Sequence, residues 1–288
     1  MNPLIGVASF FCLALNMIFW SSLLFLIGLI RLAVPSKNWK KLWASVTIFI
    51  GETCISFNNA WIKILLRPSI SITGMENLKK GHWYIATSNH QSWGDIFILQ
   101  KITNRKVPLL RFFMKDVLKW IPIVSIVGWA LDMPFLKRYS KEQIDKNPSL
   151  RGKDLEQMKK AFKRLEKNPG TVFSFAEGTR FTKQKHEDQN SPYKNLLKPK
   201  AGGIGVALST MPFISTLLDI SISYDSDSKS FWSFLCSEMS DIKIKVRSIE
   251  IPEDLLNKDY SKDKQYRDDL KDWLNKIWEE KDRFLSST

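Results

Sequence analysis

The chain has 288 residues, 44 % hydrophobic and 25 % charged, enough for one large domain or two small ones and too apolar for a disordered chain. Lysine and arginine number 43 against 29 acids, a formal charge of +14, which points to a polyanionic partner, either nucleic acid or an anionic membrane surface. Cys12, Cys54 and Cys236 lack paired spacing and read as small buried hydrophobes, which argues against a disulfide framework.

The N-terminus decides for the membrane. Residues 1–30 carry no charged side chain. As a helix that run is about 45 Å long, and about 30 Å crosses a hydrocarbon core. No basic residue precedes it, so it is expected to be retained rather than cleaved as a signal peptide. Arg31, Lys37, Lys40 and Lys41 follow, with a break at Pro35-Ser36. By the positive-inside rule the rest of the chain faces the cytoplasm, on an inner membrane. A second apolar stretch, residues 42–66, holds Glu52 near its middle. A carboxylate at the bilayer centre is costly. The stretch is therefore expected to lie in the interface, packed on the first helix as a hairpin; a second full span is the alternative. Residues 1–68 are expected to form the anchor and residues 69–288 the second domain.

Beyond the anchor the pattern alternates. Residues 83–88 (WYIATS) and 171–175 (TVFSF) read as short buried strands, the second entered from the turn Asn168-Pro169-Gly170. Residues 217–224 read as a third. Ile242, Ile244 and Val246 alternate with Lys243, Lys245 and Arg247, a strand with one apolar and one basic face. Leu155, Met158, Phe162 and Leu165 form a helical stripe. Residues 201–211 predict a buried helix, and Tyr266, Leu270, Trp273 and Ile277 a C-terminal amphipathic one. Residues 140–153 and 182–199 are polar and read as surface loops. The whole predicts an α/β fold, a mixed sheet with helices packed on it, behind an N-terminal membrane-anchoring helix or helix hairpin.

Two motifs carry chemistry. After the first strand comes Asn89-His90-Gln91-Ser92-Trp93-Gly94-Asp95. In one continuous helix, residues five apart point about 140° from each other. They meet if His90 sits on the strand-to-helix turn and Asp95 in the first helical turn. Such a pair makes a general base, the carboxylate fixing the tautomer and supporting the imidazolium. After the second strand comes Phe175-Ala176-Glu177-Gly178-Thr179-Arg180. Gly178 lets the backbone bend, Arg180 can hold a phosphate, and Glu177 can orient that arginine or bind substrate hydroxyls.

Both motifs, in this order behind an anchor, resemble those of the lysophospholipid acyltransferases, whose best-known members are the 1-acylglycerol-3-phosphate, or PlsC-like, acyltransferases. That family carries Asn-His-x-x-x-x-Asp and then Phe-Pro-Glu-Gly-Thr-Arg. Ala176 replaces the usual proline. The resemblance spans residues 70–224. It implies His90 and Asp95 as catalytic residues, with Glu177, Gly178, Thr179 and Arg180 binding substrate. The stretch FFMKDVLKWIPIVSIVGWALDMPFLKR, residues 112–138, is similar to the block between the motifs, which implies Arg138 at the acceptor's phosphate and Lys115, after the first strand of the block, among the substrate-binding residues. Residues 191–203 (SPYKNLLKPKAGG) resemble the subgroup of YihG-type and lysocardiolipin acyltransferase-like enzymes and place Lys200 toward the site.

The implied reaction moves a fatty acyl group from acyl-CoA or acyl carrier protein, as co-substrate, to the sn-2 hydroxyl of a lysophospholipid. Lysophosphatidic acid is the first candidate acceptor; lysocardiolipin and lysophosphatidylinositol are alternatives. No cofactor is expected. No Gly-x-Ser-x-Gly elbow or phosphate-cradling loop occurs. His186-Glu187-Asp188 makes a poor ligand set, so no metal is expected. The competing classes are a non-catalytic protein binding anionic membrane lipids and a lipid hydrolase in which His90 activates water. Nucleic-acid binding is disfavoured, because the positive charge is spread along the chain.

Overall fold

The N-terminal apolar run folds as helix α1, Pro3–Ala33. Asn2 caps it by accepting a hydrogen bond from the Ile5 N–H, and Pro3 in the first turn has no N–H to leave unpaired. By length and composition it is the one helix among the described residues that could cross a membrane. The computed structural model describes residues 2–136, 146–147, 156, 159–160, 162, 170–226 and 228–288. Three of the four residues of the predicted stripe at 155–165 lie outside these. Its fourth, Phe162, is fully buried.

Helix α2, Lys37–Trp61, turns back along α1. The Trp39 indole donates to the Ile30 carbonyl at 2.9 Å. Farther along, the Asn16 amide donates to Asn58 Oδ1 at 2.9 Å and to the Cys54 carbonyl at 3.1 Å. The two helices therefore form a hairpin. Glu52 is buried on α2 and pairs with Lys80 at 2.9 Å, so the carboxylate in this apolar stretch meets a cation from outside the hairpin. One π-helical turn, Ile62–Leu66, and a left-handed Arg67 close the hairpin.

The remaining elements are β1 Ser69–Thr73, β2 Tyr84–Ser88, α3 Gly94–Thr103, β3 Leu110–Phe112, β4 Met114–Lys115, α4 Pro122–Ala130, β5 Phe135–Leu136, β6 Thr171–Phe175, α5 Lys183–Asp188, α6 Gly202–Thr210, β7 Thr216–Tyr224, α7 Phe231–Leu235, β8 Asp241–Glu250 and α8 Lys264–Ser286. Six strands make one mixed sheet in the order β1-β8-β7-β2-β6-β3. β3, β6, β2 and β7 run parallel, and β8 is antiparallel to β7. The carboxyl ends of four neighbouring strands thus share one edge, where open α/β sheets bind ligands. β4 and β5 form a separate two-stranded pair.

Strand periodicity sorts the core. Ile85, Val172 and Leu217 point to one face, under Ile204 and Leu208 of α6 and Leu270, Leu274 and Trp278 of α8. Ala86, Phe173, Leu218, Ile220, Ile244 and Val246 point to the other, under Ile98 and Leu99 of α3 and Trp61 of α2. Ile242, Ile244 and Val246 alternate as the sequence predicts. The third basic residue of that strand differs: Arg247 is covered, and it bonds Asp219 of β7 at 2.7 Å. The polar stretch 182–199, expected as loop, contains the short helix α5. Its remainder is docked on α8, where the Asp282 carboxylate accepts from the backbone N–H groups of Lys194 and Asn195 at 2.8 and 2.7 Å.

Candidate active site

β2 is buried along its whole length and ends at Ser88. The chain then turns into α3, with Asp95 in the first helical turn. An aspartate there meets the free N–H groups of a helix start. Asp95 Oδ2 accepts from the Gln91 N–H at 2.7 Å and the Ser92 N–H at 3.0 Å. The same oxygen meets His90 Nδ1 at 2.8 Å. The second carboxylate oxygen, Oδ1, accepts from the Tyr224 hydroxyl at 2.6 Å. His90 retains 12 % exposure and Asp95 1 %. The imidazole lies flat on Phe175, the last residue of β6, with ring centroids 3.8 Å apart and planes 12° from parallel. Nδ1 is thereby committed to Asp95, and Nε2 is the nitrogen left for a substrate.

The second motif follows β6. Gly178 has φ +73°, a left-handed backbone that a side chain would strain. The turn is tied to the first motif by the Phe181 N–H, which donates to the His90 carbonyl at 2.8 Å. Lys185 holds it from the other side, donating to Thr179 Oγ1 at 2.8 Å and to the Arg180 carbonyl at 3.1 Å. Arg180 is exposed, its guanidinium 5.4 Å from the centre of the Trp93 ring. That stacking leaves its charge facing solvent beside the dyad.

Glu177 turns inward and is fully buried. Its carboxylate has Lys281 of α8 and the backbone N–H groups of Leu197 and His90 as neighbours, none in strict hydrogen-bond geometry. Burial pushes the carboxyl well above the usual carboxylate range, while Lys281 and the two N–H groups oppose it. Lys281 is itself fully buried. It pairs with Asp219 at 2.7 Å and donates to the Ile220 carbonyl at 2.5 Å. Burial pulls its ammonium down and Asp219 resists. Arg247 completes this network, bonding Asp219 and Glu280.

The structure brings His90, Asp95, Glu177, Gly178, Thr179 and Arg180 to one edge of the sheet. Lys200 adjoins them, its N–H donating to the Ala176 carbonyl at 2.8 Å. Lys115 is exposed on β4, past the edge strand β3, and no hydrogen bond or ion pair among the described residues joins it to His90, Asp95 or Arg180. Arg138 lies outside the described residues. Sequence reasoning missed Tyr224, Asp219 and Lys281. Asp219 was the only charge inside an otherwise uncharged strand, a signal that something buried must pair with it. His186 Nε2 is occupied by the Tyr193 carbonyl at 2.5 Å, and among the described residues no group of His, Cys, Asp and Glu converges as a metal site would require.

A protein-family model described as Acyltransferase matches residues 69–224. No curated protein sequence matches the chain. Among solved structures the chain is similar to the 1-acyl-sn-glycerophosphate (LPA) acyltransferase PlsC from Thermotoga maritima, with a TM-score of 0.56 at 18 % sequence identity over 97 % of this chain and 96 % of that one. At that identity the likeness shows the fold.

Proposed function

The chain belongs to the acyltransferase family, whose model matches more than half of its residues, and on that footing we propose that it transfers a fatty acyl group from an acyl thioester to the sn-2 hydroxyl of lysophosphatidic acid, giving phosphatidic acid. The donor is acyl-CoA or acyl carrier protein. The observation that carries the reading is the His90 Nδ1 to Asp95 Oδ2 contact of 2.8 Å at the carboxyl edge of the sheet, beside the outward-facing Arg180. The likeness to the Thermotoga maritima LPA acyltransferase supports the choice of acceptor.

The chemistry needs one base and no covalent enzyme intermediate. The acceptor hydroxyl gives its proton to His90 Nε2 as its oxygen attacks the thioester carbonyl. The tetrahedral intermediate collapses, the carbon–sulfur bond breaks, and the leaving thiolate takes the proton from the imidazolium. Asp95 holds the tautomer and supports the transient positive charge. Arg180 offers the acceptor's phosphate a paired set of N–H donors, and Glu177 and Gly178 shape the turn that presents it.

The test is transfer of labelled oleoyl-CoA to lysophosphatidic acid in membranes containing wild type or His90→Ala at matched levels. A positioned general base contributes about 10²- to 10⁴-fold in rate, so the variant is expected to lose at least about 100-fold. Equal activity in both would remove His90 as the base. Parallel assays with lysocardiolipin, lysophosphatidylinositol and water as acceptors rank the acceptors and separate transfer from hydrolysis.

A further inference from the structure

Asp95 is held from behind by the tip of β7, a strand about 130 residues away in sequence and outside both motifs. The backbone ladder joins β2 to β7 only over Ile85–Ser88 and Leu217–Ile220. One step further, the Asn89 side chain takes over the strand's part: its Nδ2 donates to the Ile222 carbonyl at 2.8 Å and its Oδ1 accepts the Ile222 N–H at 2.9 Å. Gln91 Nε2 donates to the same carbonyl at 3.0 Å. The residues on either side of His90 are therefore fixed to Ile222. Tyr224 lies two positions on, on the same face of the strand, and its hydroxyl reaches Asp95 Oδ1 at 2.6 Å.

We infer that Tyr224 is a positioning residue of the His90–Asp95 pair, its O–H setting both the orientation and the charge of the Asp95 carboxylate. The inference rests on the reading of His90 as the base. Oδ2 takes three contacts, from His90, Gln91 and Ser92, and Oδ1 takes the Tyr224 hydroxyl. With both oxygens engaged, the carboxylate cannot rotate about its bond to Cβ, and Oδ2 stays aimed at Nδ1. Without the hydroxyl, Oδ1 would be a bare buried acceptor. Burial, then the Asp95 charge and the shared hydrogen bond, push the Tyr224 phenol well above its ordinary value. It remains a neutral donor at every working pH. Glu177, from the turn after β6, and Lys229, from the segment after β7, also lie within electrostatic reach of Asp95.

A donor on Oδ1 draws negative charge away from the oxygen that faces the imidazole. Removing it leaves more charge there and favours the imidazolium form. The variant is Tyr224→Phe, which keeps the ring and loses one oxygen, made in the full-length protein in detergent. The chain has three histidines, so the ring-carbon NMR signals of His90 are assignable against His90→Ala. The pH at which they titrate is expected to move upward in Tyr224→Phe. Incorporation of 3-fluorotyrosine at position 224, a stronger donor of nearly the same shape, is expected to move it downward and covers the case in which the phenylalanine variant fails to fold. In acyl transfer, kcat/KM is expected to fall about 10-fold, its acid limb shifting upward, with KM for the acceptor unchanged. A His90 titration that superimposes on wild type in both substituted proteins overturns the inference. A shifted titration in proteins that transfer no acyl group would uphold Tyr224 and instead remove the proposed function.

Discussion

At Glu177 the structure places a carboxylate where ionisation is costly. Its folded-state value is raised by burial, so the folded protein binds a proton there more tightly than the unfolded chain does. Stability linked to this group is therefore complete below the unfolded value of about 4.3 and is lost as pH rises from there through the folded value. Glu177→Gln keeps the shape and removes the titration. Its melting temperature is expected to exceed that of wild type above about pH 5, with the gap closing toward pH 4. Parallel melting curves across that range would show that Glu177 does not carry the linkage. The stabilised variant is expected to transfer acyl groups more slowly, because a carboxyl buried at a cost to stability is a mark of a residue kept for function. At this scale the two motifs were legible because each closes on itself: His90 and Asp95 are five residues apart, and residues 177–180 form a single turn. Tyr224, Asp219 and Lys281 were not. Their partners lie 129, 62 and 62 positions away, and in the local sequence Tyr224 reads as one more alternating core residue.

Among the elements, α3 carries the site, and its seat is set by Gly94. A Cβ there would meet Cγ and Cδ2 of Phe234 at 2.9 Å. Phe234 is buried and stacks with Phe97 and Phe231, so it has little room to retreat. Gly94→Ala is expected to shift the first turn of α3 by a few tenths of an ångström and to carry Asp95 with it. Small misplacements of catalytic groups cost up to about 100-fold in rate. A fall in kcat of about 10- to 100-fold is therefore expected, with only a modest loss of melting temperature. Unchanged kcat would mean that Phe234 yields and that α3 is not seated there. The strands bearing the motifs were readable from their apolar runs, because β2, β6 and β7 are buried on both faces. β1 was not: Ser69–Thr73 alternates as a strand does, with Ile70 and Ile72 on one face, but it is a largely exposed edge strand of only five residues, too short a run to stand out from the turn residues around it. The short helix α5 was hidden in a polar stretch whose order comes from contacts with α8 rather than from its own periodicity.

For the whole molecule the question is how α1 meets the membrane. Its length permits a crossing, but its contacts point elsewhere. Near its start, a Cβ at Gly6 would lie 2.6 Å from the Cys236 sulfur, just after α7. Near its end, Gly28 packs on Trp129 of α4, Leu24 is buried with Leu109 and Leu131, and Arg31 pairs with Asp132 at 2.9 Å. Both ends of a helix about 45 Å long thus rest on the catalytic domain, whereas a spanning helix would carry one end about 30 Å away across the hydrocarbon. The outward side of α1 is apolar along its length, with Leu4, Phe11, Leu15, Phe19, Leu26 and Leu32 exposed. A hairpin lying in one leaflet accommodates both facts. It would also keep the site edge near the surface in which a lysophospholipid resides. Single cysteines placed at Asn2, Lys37 and Lys194, in a background lacking the native three, would report this in sealed vesicles through an impermeant thiol reagent. All three are expected to label from the same side. If Asn2 labels only from the side opposite Lys194, α1 crosses the bilayer, and the packing of its first turns against α7 would have to give way in the membrane.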